Sequence, residues 1–210
     1  MTFTIHTSPQ GTPEWLQARA GCVTGSRASD VLAKIKSGEA AARRDYRHQL
    51  LAERLTGRPE DSGFTNAAMQ WGTEQEPFAR MAYEAATGNM VRETGFIRLD
   101  AQPVGCSLDG DVDEFTGIIE IKCPKTSTHV SWMLAGKLPS QHVAQITHNL
   151  WVTGAKWCDF VSYDPRLPEN MRLFIVRVTR EELDLTGYAT DLAQFIVELD
   201  ELEQQLRSRK

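Results

Sequence analysis

The apolar positions fall into runs whose period changes along the chain. In the N-terminal third the spacing is helical. Thr24-Gly25-Ser26 offers capping hydroxyls ahead of a helix predicted over Ala28–Lys36, and Ala40–Leu55 carries helix formers until Thr56-Gly57-Arg58-Pro59 stops it. A third helix is predicted over Ala67–Ala86 and closed by Thr87-Gly88. The period then drops to two. Phe96–Leu99, Val104–Leu108 and Gly117–Lys122 are short, β-branched or alternating runs parted by Asp, Gly and Pro, hence strands. Within Gln141–Trp151 the set Val143, Ile146 and Leu150 returns to helical spacing. Asp159–Tyr163 and Arg172–Val178 read as two more strands around the turn Asp164-Pro165-Arg166. Thr179-x-x-Glu182 has the form of a capping box, and Leu192, Phe195, Ile196, Leu199, Leu202 and Leu206 make one apolar stripe on a final helix. The order of helices, three strands, helix, two strands, helix predicts an α/β (α+β) fold with a mixed central sheet flanked by helices. No repeat, low-complexity tract or linker breaks the pattern, so one domain over residues 1–210 is expected.

Composition narrows the function classes. A formal charge of −5 excludes a surface basic throughout, the simplest nucleic-acid binder, but allows a basic cleft on an acidic body. No apolar run approaches membrane-spanning length, and the N-terminal stretch lacks the basic-then-apolar order of a secretion signal, so no membrane association is expected. Cys22, Cys106, Cys123 and Cys158 stand far apart with no CxxC pair, which argues against a zinc site or disulfide framework and for a reducing cytoplasm. His129, His142 and His148 lack HxxxH spacing, and neither a Gly-x-Ser-x-Gly elbow nor a Walker A sequence occurs, so no nucleotide cofactor is expected.

The stretch Cys106-Ser107-Leu108-Asp109-Gly110 through Glu120-Ile121-Lys122-Cys123-Pro124 carries the candidate chemistry. On a strand, Glu120 and Lys122 share one face and Ile121 points to the other. A turning loop after Asp109 would bring that carboxylate beside Glu120. Two carboxylates and a backbone carbonyl at a sheet end are hard oxygen ligands suited to Mg²⁺, and a neighbouring lysine could orient water or stabilise charge on a phosphate. The triplet alone is uninformative, since seven lysines and 28 acidic residues predict about one chance occurrence of (Asp/Glu)-x-Lys. A solvated acidic hairpin, with Glu120 and Lys122 on an exposed face, is the competing reading. Asp111, Asp113 and Glu114 read as loop solvation.

The context resembles the active-site motif of PD-(D/E)xK nucleases and, more closely, the phage lambda exonuclease family of YqaJ-like viral recombinases. Four blocks carry the resemblance in order. Trp15-Leu-Gln-Ala-Arg19-Ala-Gly21-Cys-Val-Thr24-Gly-Ser26 is similar to the family's opening segment, and Trp71-Gly72-x-x-x-Glu76-x-x-Ala79-Arg80 to its acidic helix. Cys106–Pro124 is similar to the core, and Ala144-Gln145…Trp151-Val152-Thr153 followed by Tyr163-Asp164-Pro165-Arg166 to the last block.

By that resemblance the chain would be a Mg²⁺-dependent 5′-to-3′ exonuclease on double-stranded DNA ends, with Mn²⁺ able to substitute and two ions per site. It would leave 3′ single-stranded overhangs for recombination by single-strand annealing. Asp109, Glu120 and the Ile121 carbonyl would hold the metal, Lys122 would position the attacking water, and Glu76 falls at the family's additional acidic position. Arg19, Ser26, Ser107 and Gln145 match a pocket for the terminal 5′-phosphate, where an arginine fork with hydroxyl and amide donors suits a dianion. The resemblance further implies a homotrimeric ring, a single-strand annealing protein as partner and a phage or prophage setting. Arg43, Arg44, Arg47 and His48 form the one dense basic patch, readable either as a DNA contact or as an exposed helix face paired with Glu39, Asp45 and Glu53. The rival functions are a structure- or site-specific endonuclease on the same core and a non-catalytic DNA-end-binding module.

Overall fold

A computed structural model describes residues 2–60 and 66–209. Its strands are β1 (Phe3–His6), β2 (Val23–Thr24), β3 (Val91–Arg92), β4 (Phe96–Leu99), β5 (Val104–Ser107), β6 (Gly110–Val112), β7 (Gly117–Lys122), β8 (Trp157–Tyr163) and β9 (Leu173–Thr179). Its helices are α1 (Pro13–Arg19), α2 (Ala28–Val31), α3 (Ala41–Thr56), α4 (Ala67–Thr87), α5 (Thr126–Ala135), α6 (Ser140–Thr153) and α7 (Leu185–Arg207). The mixed α/β architecture is the one expected, with the strands shared between two mixed sheets in the orders β1-β4-β5-β2 and β3-β6-β7-β8-β9.

Strand β7 lies at the centre of the five-stranded sheet, antiparallel to β6 and parallel to β8. Both of its faces are covered, and the alternation of its side chains sorts them between two cores. Ile118 joins the larger core with Leu50, Ile146, Leu150, Phe160, Leu192 and Phe195, which packs α3, α6 and α7 onto the sheets. Ile119 and Ile121 face the other way and meet Ala79 and Tyr83 of α4. The C-terminal stripe therefore packs on its own chain: Phe195 is fully buried and stacks on Tyr46 at 5.8 Å between ring centres.

Several expectations are corrected. The helix predicted over Ala28–Lys36 stops at Val31. Ile35, one turn beyond the buried Val31, is 57% exposed, so a second turn would have no packed face to support it. Thr24 makes no side-chain cap bond there; its N–H instead donates to the Tyr46 hydroxyl at 3.1 Å. The capping box is present but closes a single 3₁₀ turn over Arg180–Glu182, and Asp184 caps α7. The segment after Asp109, read as a solvated loop, contains β6. Asp111 is only 1% exposed because it pairs with Arg92 and accepts the Phe115 N–H. The reversal that follows runs through left-handed Asp113, Glu114 and Phe115. Strands β1, β2 and β3 and helices α1 and α5 lie outside the elements that the sequence pattern predicts.

Candidate active site

The register of β6 on β7 pairs Gly110 with Ile119 and Val112 with Gly117, which carries Asp109 to a position across from Glu120 and Ile121. The Asp109 carboxylate accepts the Ile121 N–H at 2.6 Å. Glu120, 1% exposed, ion-pairs with Lys122 through one oxygen and accepts the Asn149 amide of α6 at 3.2 Å through the other. Beyond Lys122 the chain is clamped: Arg166 donates to the Pro124 carbonyl at 2.9 Å while its guanidinium grips the buried Asp164. The sequence-predicted trio Asp109, Glu120 and Lys122 thus stands together at the end of one strand.

Glu76 arrives on α4. Asn66 caps this helix, and the Tyr83 hydroxyl anchors it to the five-stranded sheet by donating to buried Asp159 at 2.7 Å. Arg177 completes the satisfaction of Asp159 with two bonds of 2.8 Å. Glu76 accepts from Arg80 at 2.8 Å and lies within electrostatic reach of Asp109.

Burial and mutual repulsion disfavour the charged forms of the site's carboxylates. Burial, with Asp109 adding repulsion, pushes Glu76 up to about 7. Burial likewise pushes Glu120 up to about 7, Lys122 opposing and Asp109 adding to the rise. Burial raises Asp109 despite the counter-charge of Lys122. Burial disfavours the Lys122 ammonium, but Glu120 and Asp109 outweigh it and hold Lys122 protonated beyond its ordinary range. Among the described residues no three acidic, histidine or cysteine side chains converge on one point. Asp109 and Glu120 supply hard oxygen donors side by side, a chemistry that suits a hard cation better than a soft one.

The predicted phosphate-binding residues are partly assembled. The Arg19 guanidinium lies 3.9 Å over the Trp15 ring, and the Trp15 indole N–H donates to Ser107 Oγ at 3.2 Å, so one buried tryptophan orients both. Arg19 and Ser26 also line one cavity of about 480 Å³ with Thr24, Arg27 and Gln49. Gln145 stands one helical turn before Asn149, on the same face of α6. The basic patch is engaged: Arg43 and Arg47 both pair with Glu39 and Glu198, and Arg44 pairs with Asp45. Glu53 does not join it, being buried and accepting the Gly21 N–H at 2.7 Å. Asn149 and Trp15 touch the candidate residues Glu120, Ser107 and Arg19, contacts that residue chemistry alone does not single out. For Trp15 the signal was its place four residues before Arg19 on one helical face.

A model of the YqaJ-like viral recombinase domain matches residues 14–156. The chain belongs to that family. Among solved structures, an alkaline exonuclease from Laribacter hongkongensis, LHK-Exo, is 42% identical with a TM-score of 0.82, over 93% of this chain and 96% of that one. LHK-Exo in complex with dAMP gives 42% identity, a TM-score of 0.83 and the same coverage, 93% of this chain and 96% of that chain. A phage related exonuclease from Haemophilus somnus 129PT, 16% identical with a TM-score of 0.66 over 89% of this chain and 95% of that chain, shares the fold. No curated protein sequence matches the chain. Among the described residues no helix is long and apolar enough to cross a membrane.

Proposed function

We propose that the chain is a DNA exonuclease, a hydrolase that cuts phosphodiester bonds from double-stranded ends in the 5′-to-3′ direction with Mg²⁺ and leaves 3′ single-stranded overhangs. The observation that carries this reading is the meeting of Asp109, Glu120 and Lys122 at the end of β7 in a chain of this family. The dAMP held by LHK-Exo is a deoxynucleoside monophosphate, the unit that stepwise hydrolysis of a DNA strand releases.

Asp109, Glu120 and the Ile121 carbonyl would hold the cation, with Glu76 beside them. When bound, it lowers the pKa of a coordinated water and neutralises charge on the attacking and leaving oxygens. Lys122, kept protonated by Glu120 and Asp109, donates toward the attacking water and the phosphate oxygens that gain charge. Arg19, Ser26, Ser107 and Gln145 receive the terminal 5′-phosphate, and that grip fixes which bond lies over the acidic cluster. Direction follows from the grip. In this reading residues 1–210 act as one nuclease domain. The protein works in the cytoplasm as a ring of three copies, and a single-strand annealing protein takes up the overhang for recombination.

The test uses linear duplex DNA labelled at the 5′ or 3′ end of one strand, with Mg²⁺ or EDTA, beside a closed circle. Mg²⁺-dependent release of short 5′-labelled products from linear DNA alone is expected. Cutting of circles would replace the reading with an endonuclease, and no hydrolysis of either would replace it with a binding module.

A further inference from the structure

Asn149 is a buried amide in an odd position. It sits inside α6, 1% exposed, where an apolar residue of similar size would cost the fold less. Its Nδ2 donates to Glu120 Oε2 at 3.2 Å, while its Oδ1 is buried without a hydrogen-bond partner. A half-satisfied buried amide is a net liability unless the one bond it makes matters. The surroundings keep it in place. Gly25, in the turn between β2 and α2, packs directly on the amide, and a Cβ there would fall 2.3 Å from Asn149 Oδ1. The neighbouring residue locks the helix: His148 is buried with one ring nitrogen 2.9 Å from the Gly105 carbonyl and the other 2.5 Å from the Tyr188 hydroxyl.

We propose that Asn149, seated by Gly25, is a positioning residue for the Glu120 carboxylate, an inference that rests on the metal-dependent nuclease reading above. Lys122 holds one carboxylate oxygen and Asn149 the other, so the plane of the carboxylate is fixed before a cation arrives. Without the amide, Glu120 keeps its lysine but loses the bond that fixes its last torsion. Partners that orient a ligating carboxylate are typically worth roughly 10–100-fold in metal affinity or activity. A purely structural amide would act on stability and leave metal affinity alone.

The experiment measures Mn²⁺ binding to the DNA-free protein by electron paramagnetic resonance titration, alongside Mg²⁺-dependent hydrolysis and the Tm in EDTA. The variants are Asn149→Leu and Gly25→Ala, the second displacing the amide from outside without touching Glu120. Both are expected to bind Mn²⁺ roughly 10–100-fold more weakly than the parent. The half-saturating Mg²⁺ concentration should rise in proportion in both, while Asn149→Leu keeps the parent's affinity for 5′-phosphorylated duplex in EDTA. Asn149→Leu should keep or raise the Tm. Mn²⁺ affinity within about twofold of the parent in either folded variant would overturn the proposal. A parent that neither binds Mn²⁺ nor hydrolyses DNA would overturn the nuclease reading itself, and the Glu120→Gln variant separates the two failures by losing metal only if that reading holds.

Discussion

Burying an acidic site makes the metal-free protein pay in stability as pH rises, and Glu120→Gln isolates that cost. In the unfolded chain a glutamate ionises near its ordinary value of 4.5, whereas in the fold burial pushes Glu120 up to about 7. Between those values the folded state holds a proton that the unfolded state has released. Stability therefore falls with increasing pH across this window, is unaffected below it and carries the whole loss above it. The 2.5-unit interval corresponds to about 3 kcal/mol at most, and since Glu120 titrates together with Glu76 and Asp109 we expect about 2 kcal/mol for this one group. The assay is urea unfolding in EDTA at intervals from pH 5 to pH 8.5 for parent and variant. The parent should lose about 2 kcal/mol more than Glu120→Gln over that range, and Mg²⁺ should flatten the parent curve while leaving the variant unchanged. Parallel curves would refute the reasoning, because they would mean that Glu120 is not held protonated by burial.

Three further outcomes follow from packing and charge. Phe195→Ala should cost about 3–5 kcal/mol in urea unfolding, since it empties a fully buried ring site against Tyr46; a loss under about 1 kcal/mol would mean that α7 does not depend on this contact. Gly105→Ala should destabilise by about 1–3 kcal/mol, because its Cβ would sit 2.4 Å from both the Ile97 carbonyl and the Phe96 ring; thermal unfolding reads it, and an unchanged Tm contradicts it. Arg19→Ala should lower kcat/KM on 5′-phosphorylated ends roughly 10–100-fold, the worth of a charged hydrogen bond, and leave 5′-hydroxyl ends nearly as before; equal losses on both would sink the phosphate pocket.

The meeting of Asp109 with Glu120 was legible because a strand has period two and the Asp-Gly after it signals a reversal, and β6 on β7 places the two as that argument requires. The end of the chain was legible from the stripe Leu192, Phe195 and Leu199, all buried in the fold. Tertiary pairing hid the rest. Asp111 looks like a loop residue until Arg92, nineteen positions away, neutralises it. The basic patch looks free until Glu198, on a helix more than 150 residues on, closes over Arg43 and Arg47. Helix α5 opens with Thr126-Ser127-Thr128, poor helix formers, and holds its place through buried His129 bonded to Ser162 and the Met171 carbonyl. Asn149 carries no pattern of its own, since an asparagine inside a helix gains meaning only from the carboxylate it faces.

The most direct test of the central claim is the rate of Mg²⁺-dependent nucleotide release from 5′-phosphorylated linear duplex by the parent and by Asp109→Ala, with duplex binding measured separately in EDTA. The account predicts that Asp109→Ala binds the DNA as the parent does and releases no nucleotide above the EDTA background. Release at the parental rate would contradict it, placing the chemistry elsewhere in the fold.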